Sequence, residues 1–167
     1  QPFNMLAEVD LRAREYWEAN RSKYWKDLIG EEKERRERYL GSLNGSDWIT
    51  PYSPMGPDEA WGVACDTSDL TRTSRDILSG LADGLSRVLR FYDIIGIRSF
   101  NAVVFSSPFG AESPCGSVVL KVASRCGFQS HNVNDVWGLR YFLDESGVFD
   151  SPEAVAVQLC NYFAQAD

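Results

Sequence analysis

Histidine is nearly absent from this chain: His131 is the only one among 167 residues. A Ser–His or Cys–His nucleophilic pair must use that residue, and a histidine-rich metal centre cannot be built. His131 sits in a polar run, Ser130-His131-Asn132, of the kind that usually places a histidine on an exposed loop. Cysteine is sparse as well. Cys65, Cys115, Cys126 and Cys160 form no Cys-x-x-Cys pair, which removes zinc-ribbon and thioredoxin-type motifs. Reduced thiols in a cytoplasmic protein are the expectation, with Cys115 and Cys126 the pair that a strand hairpin could bring together. No metal site and no cofactor are expected. Long apolar runs are missing too, since stretches such as 102–105 end after a few residues, so no segment spans a bilayer. Positive charge is in deficit, with 17 Lys and Arg against 24 Asp and Glu, a net charge of −7 and a pI near 4.8. That balance argues against a nucleic-acid or anionic-membrane surface, although a local basic pocket can still hold a phosphate. The sequence contains no GxGxxG, P-loop, GxSxG, HExxH or EF-hand loop. Residues 1–12 lack the basic start and apolar stretch of a signal peptide. A first residue other than Met leads us to expect a segment, a tag or a domain upstream of Gln1.

What is present is a folded-domain composition: 44% hydrophobic and 25% charged residues exclude disordered and collagen-like classes. A chain of this size buries roughly 70% of its unfolded surface, enough for one core. Helix formers dominate the first forty residues, where Leu6, Val9, Ala13, Tyr16 and Trp17, then Tyr24, Trp25 and Leu28, recur at helical spacing. A break at 20–22 predicts two helices, and Gly30 a further interruption before the charged run 31–39. The alternation of acids and bases at 31–38 reads as a solvated helix face, Arg35, Arg36 and Arg38 included. A turn is predicted at 41–45, and strands at 48–52 and 59–65. Residues 74–95 carry the clearest periodicity, an apolar stripe of Ile77, Leu78, Leu81, Leu85, Val88, Leu89 and Tyr92, with Thr73 or Ser74 as cap and Gly96 as stop. Strands at 100–106 and 117–123 are predicted to pair antiparallel across the loop 108–116. A short helix near 136–143 and a final helix from Ser151-Pro152-Glu153 to about 164 complete the chain. The order of elements implies an α+β fold with an antiparallel sheet. Trp17, Trp25, Trp48 and Trp61 sit on amphipathic elements and are expected in the core.

Several segments, taken in order, resemble the C-terminal half of galactose-1-phosphate uridylyltransferase-like proteins of the histidine-triad (HIT) superfamily. Arg12-Ala13-Arg14-Glu15-Tyr16-Trp17 resembles the helix that follows that family's nucleophile. Residues 46–52 resemble the strand entering the second HIT-like unit, and residues 81–89 its long helix. Residues 99–108 resemble a strand reading roughly Tyr-Asn-x-x-x-x-x-Ser-Pro. Gly127-Phe128-Gln129 resembles a Gly-Phe-Glu step, and residues 151–156 the closing helix.

The resemblance implies a HIT-like antiparallel sheet with one long packed helix and flanking N- and C-terminal helices, divided into a helical segment 1–40 and a HIT-like domain 41–167. It implies nucleotidyl transfer, in which a histidine of a His-x-His motif attacks the α-phosphorus of a nucleoside-diphosphate sugar. Here the strand that usually holds the second His-x-His reads Ser117-Val118-Val119-Leu120-Lys121-Val122-Ala123-Ser124-Arg125, without histidine. The chain is therefore expected to supply no catalytic residue of its own. Its role would be to complete a pocket for a nucleotide-sugar or sugar phosphate with an upstream half or another protein chain. A non-catalytic interaction or regulatory subunit is the alternative. Asn101, Ser107, Lys121, Arg125 and Gln129 are the residues to which the resemblance assigns nucleotide or phosphate contacts. The family's two-half architecture implies an oligomer, for which the aromatic N-terminal helices are the expected surface.

Overall fold

The computed structural model describes residues 4–54, 56–125 and 151–164, the first seven by backbone alone. Two helices, α1 (Asn4–Asn20) and α2 (Tyr24–Arg35), lead into a hairpin of β1 (Tyr39–Leu43) and β2 (Ser46–Ile49). Strand β3 (Ala60–Ala64) and a single 3-10 turn (Leu70–Arg72) precede the long helix α3 (Arg75–Ile94). Strands β4 (Phe100–Phe105) and β5 (Val118–Ser124) follow, and α4 (Pro152–Phe163) closes the chain. All neighbouring strands are antiparallel, in the order β1-β2-β3-β5-β4. The α+β class and the pairing of the fourth and fifth strands are as the sequence predicts. The short helix expected near 136–143 lies outside the described residues.

Local chemistry explains most boundaries. Ser74 and Ser151 cap α3 and α4, their hydroxyl oxygens accepting from the Ile77 and Ala154 amides, with Pro152 in the first turn of α4. Gly96, at a φ of +81°, follows the end of α3. One strand departs from expectation. Gly30 does not interrupt α2, which runs on to Arg35, and residues 39–43 form β1 rather than a helix end and turn. Asn44 and Gly45 both have positive φ (45° and 86°), the geometry that an Asn-Gly pair supplies to a tight hairpin, so the turn occupies two residues and frees the flanks for pairing.

Two cores lie on opposite faces of the sheet. On one face, α3 and α4 cover Leu40, Trp48, Ala60, Ala64, Val118, Leu120 and Val122. On the other, Trp25, Leu28 and Ile29 of α2 cover Ile49, Trp61, Val63 and Val119. Of the predicted α3 stripe, Leu81, Val88 and Tyr92 are buried and Ile77, Leu85 and Leu89 pack against the core, while Leu78 is exposed; Gly80, Gly84 and Phe91 are buried beside them. The two glycines let α3 approach the sheet closely, because Gly84 faces the fully buried Trp48 and Gly80 faces the Leu43 carbonyl at distances where no side chain fits. Arg38 ties the two layers together. Its guanidinium donates to Glu32 of α2 at 3.0 and 2.8 Å and to Glu153 of α4 at 2.7 Å. No helix among the described residues is long and apolar enough to cross a membrane.

Candidate functional site

The antiparallel register distributes the predicted contact residues along the β4–β5 pair. Val103 faces Lys121 and Asn101 faces Ala123, so Asn101, Lys121 and Arg125 share the α2 side of the sheet by alternation. Asn101 is exposed on β4, and Arg125 sits just past β5, its backbone amide donating to the Ser99 carbonyl. Ser107 lies at the opposite end, six residues beyond Asn101, a strand distance of roughly 20 Å. Gln129 lies outside the described residues, as do Cys126 and His131. The structure therefore separates Ser107 from Asn101 and Arg125.

Lys121 lies between them, in an aromatic setting. Its Nζ is 3.9 Å from the Trp61 ring centroid, 5.3 Å from that of Phe105 and 5.7 Å from that of Trp25. Trp61 is held by its indole N–H, which donates to the buried Glu59 carboxylate. Edge-on ring contacts continue from Trp61 to Trp25 at 5.5 Å and from Trp25 to Tyr24 at 5.2 Å. Attraction of the ammonium to these ring faces accounts for a lysine on a largely buried strand. Trp25, Trp48 and Trp61 are buried as expected, whereas Trp17 is only half-buried.

Trp17 instead forms a wall of an open cavity of about 370 Å3 at the Ser107 end. Arg14, Trp17 and Glu18 of α1 line one side. Ser107, Pro108 and residues 111–115 of the β4–β5 loop line the other. This loop is tightly tethered. Asp69, fully buried, accepts from the Gly110 amide at 2.8 Å and from the Thr71 amide and hydroxyl at 2.9 and 2.7 Å. Ser68 adds two anchors, its carbonyl accepting from the Ser107 amide at 2.7 Å and its hydroxyl from the Ser113 amide at 2.8 Å. The Thr71 hydroxyl bond, helped by the amides of Thr71 and Gly110 and by Arg72, holds the Asp69 carboxyl below the usual carboxylate range. Asp69 is thus an anion dedicated to shaping the loop.

No residue at this site is arranged as a nucleophile. The Cys115 thiol is buried beside the Ser113 hydroxyl at 3.0 Å. Burial pushes the nearby Cys65 thiol up to about 11, leaving it protonated at neutral pH. Among the described residues, no three His, Cys, Asp or Glu side chains are grouped to hold a metal ion. The geometry suits binding: a flat indole, two prolines, hydroxyls, one guanidinium and two acids around a space within the usual small-molecule range of roughly 300–1,000 Å3. Arg14 and Trp17 fall inside the motif matched at 12–17, but α1 periodicity alone sends Trp17 to the core. Nothing local in the sequence signals that it meets a loop ninety residues away.

No family model matches the chain. An uncharacterized protein of Archaeoglobus fulgidus is 29% identical over 154 residues, which cover 92% of this chain and 46% of that protein. Solved structures of low identity share the fold. A uridylyltransferase superposes with a TM-score of 0.80 at 13% identity, over 95% of this chain and 51% of its own. An ADP-glucose phosphorylase from Arabidopsis thaliana with bound ADP-glucose gives 0.66 at 15% identity, over 89% of this chain and 46% of its own. A zinc-bound histidine triad family protein from Mycobacterium smegmatis gives 0.54 at 12% identity, over 82% of this chain and 91% of its own. The chain thus has a uridylyltransferase- and HIT-like fold, and it spans about half the length of the first three of these proteins.

Proposed function

We propose that this chain is one HIT-like half of a nucleotidyltransferase-like protein acting on nucleoside-diphosphate sugars or sugar phosphates. In this reading it completes a pocket, and the histidine nucleophile lies on another segment or chain. The observation that carries the reading is the cavity between α1 and the tethered β4–β5 loop. Trp17 offers a flat face on which a base or sugar ring can stack, and Arg14 supplies positive charge for a phosphate. Glu18 and Glu112 accept from ring hydroxyls or exocyclic amines, and Ser107 provides a hydroxyl at the strand end. Two further facts support it: the uridylyltransferase fold, and an ADP-glucose complex among proteins of similar fold. The covalent step is assigned elsewhere because β5 carries no histidine where the family resemblance calls for two. Ser107 is retained as a contact residue. Lys121 supports the sheet through its rings, while Asn101 and Arg125 would engage only a ligand extending along β4 and β5.

The second reading is a subunit that keeps the fold for interaction or regulation. The ring-bound Lys121 favours it, because this cation points into an aromatic cluster at the position where the family resemblance would put a phosphate ligand.

Titration with UDP-glucose, ADP-glucose and UDP, followed by tryptophan fluorescence, separates the two. The proposal expects saturable quenching, at least a tenfold loss of affinity in Trp17→Ala, and unchanged affinity in Lys121→Met. The latter substitution should instead lower unfolding stability by about 1 kcal/mol. No saturable signal for any of the three ligands, or binding indifferent to Trp17→Ala, would refute the pocket and leave the interaction reading.

A further inference from the structure

The cavity at the Ser107 end is held from both sides. On α1, Arg14, Trp17 and Glu18 stand three and four residues apart and so share one helix face. Across from them, Glu112 lies between two tethers of the β4–β5 loop. The Gly110 amide donates to the Asp69 carboxylate at 2.8 Å, and the Ser113 amide to the Ser68 hydroxyl at 2.8 Å. The backbone that carries the ring and both carboxylates is thereby fixed before a ligand arrives, which lowers the ordering cost of binding.

Charge decides which part of a nucleotide-sugar can enter. The lining holds one cation, Arg14, against two carboxylates, Glu18 and Glu112, in a chain whose net charge is already −7. A diphosphate placed among them would meet more negative than positive charge, so the part that enters is uncharged. Hydrogen-bond donors then decide between the two uncharged ends, because a carboxylate only accepts. Uracil offers one N–H between two carbonyls, and adenine one amino group among several ring nitrogens, so both bases turn mostly acceptors toward acceptors. The hydroxyls of a hexose each donate, and their oxygens still accept from Arg14 and Ser107. The C–H face of a pyranose also suits the negative face of the Trp17 indole. At about 370 Å3, the cavity lies at the lower end of the small-molecule range and suits one ring better than a whole nucleotide-sugar.

We propose that the α1 cavity takes the hexose of the nucleotide-sugar, with Trp17 under the pyranose ring and Glu18 and Glu112 accepting from its hydroxyls. The diphosphate stays at the rim, where Arg14 is exposed, and the base lies outside. This inference rests on the nucleotide-sugar reading above and adds which end of the ligand is recognised. A site of this kind discriminates by sugar and is tolerant of the base.

Saturation-transfer difference NMR of ADP-glucose with the 167-residue chain reads which end is covered. Transfer to the glucose ring protons should exceed that to adenine H2 and H8 by about threefold or more, a contrast that Trp17→Ala should remove. By tryptophan fluorescence, ADP-glucose and UDP-glucose should bind within about threefold of each other, and ADP about tenfold more weakly than ADP-glucose. Glu112→Ala should lower the ratio of ADP-glucose to ADP affinity by about fivefold, since the ratio cancels any charge effect on the diphosphate that both ligands share. ADP binding as tightly as ADP-glucose, with transfer centred on adenine and lost in Trp17→Ala, would overturn the inference while the nucleotide pocket stands. A glucose preference that survives both substitutions would overturn it as well. No saturable binding of any of these ligands would refute the nucleotide-sugar reading itself, and the inference with it.

Discussion

A methyl group added at Gly84 should destabilise this fold more than its small size suggests. A Cβ built there would lie 2.0 Å from Cε2, 2.2 Å from Nε1 and 2.4 Å from Cζ2 of Trp48. Ordinary carbon contacts begin near 3.5 Å, so the indole would have to retreat by roughly 1.5 Å. It has nowhere to go. Trp48 is fully buried, and on its other side a Cβ at Gly62 of β3 would already be 2.6 Å from Cζ2, so the ring lies in a slot between two glycines. Overpacking of this kind costs about 3 kcal/mol at the upper end of the usual range, and alanine in a helix interior returns about 1 kcal/mol over glycine. A net loss of about 2 kcal/mol is expected for Gly84→Ala, lowering Tm by roughly 4–8 °C for a chain of this length. Gly30→Ala is the control. Gly30 also lies within a helix, but nothing approaches its Cβ position within 4 Å, so that variant should gain about 0.5–1 kcal/mol. Urea titrations followed by tryptophan fluorescence measure both, with m unchanged if the native state is otherwise intact. A Gly84→Ala protein within about 0.5 kcal/mol of wild type, or a Gly30→Ala protein as impaired as Gly84→Ala, would refute the slot argument.

Arg38→Met should lower stability by about 3–5 kcal/mol, because Glu32 is only 2% exposed and would lose its guanidinium partner. Glu153→Gln, on the exposed arm of the same network, should change stability by less than about 1 kcal/mol in the same denaturation assay. Equal effects would show that the buried arm is not the dominant one. Asp69 makes the β4–β5 loop acid-sensitive. Its folded pKa lies below the unfolded value of about 3.9, so its contribution is complete above that value and lost as pH falls through the folded one. Amide exchange at Gly110 should therefore lose protection on acidification below about pH 4, and Asp69→Asn should flatten that dependence. Unchanged protection across this range would remove Asp69 as the loop's anchor.

Elements with strong periodicity or explicit caps were legible in the sequence. Helix α3 begins at Ser74 and stops before Gly96, α4 begins at Ser151-Pro152, and the β4–β5 pair falls where the β-rich runs place it. Strand β1 was not legible, because Tyr-Leu-Gly-Ser-Leu carries no clear alternation and its first residue continues a charged helical run. Its pairing is imposed by the Asn44-Gly45 turn and by α3 and α4 packing on Leu40. The α3 stripe was legible in six of its seven residues, but the closest approach of helix and sheet was not: a periodicity that counts apolar residues gives no weight to Gly80 and Gly84, through which the two meet.

The candidate site shows where such reading stops. The register of β4 and β5 puts Asn101, Lys121 and Arg125 on one face, a placement the sequence reading did not make, and the sequence says nothing of what lies over that face. Trp25 and Trp61 do, and they turn Lys121 from a candidate anion ligand into part of the packing. With α3 and α4 on one side of the sheet and α2 on the other, much of both faces is already filled. Open space is left at a strand end, where the β4–β5 loop is drawn back by Ser68 and Asp69 and α1 crosses in front of it. A ligand entering there meets Arg14 and Trp17 from one segment and Ser107 from another, brought together only by tertiary structure. In the proposed function, a reacting group supplied by a second segment must therefore arrive at this end of the strands, beside α1.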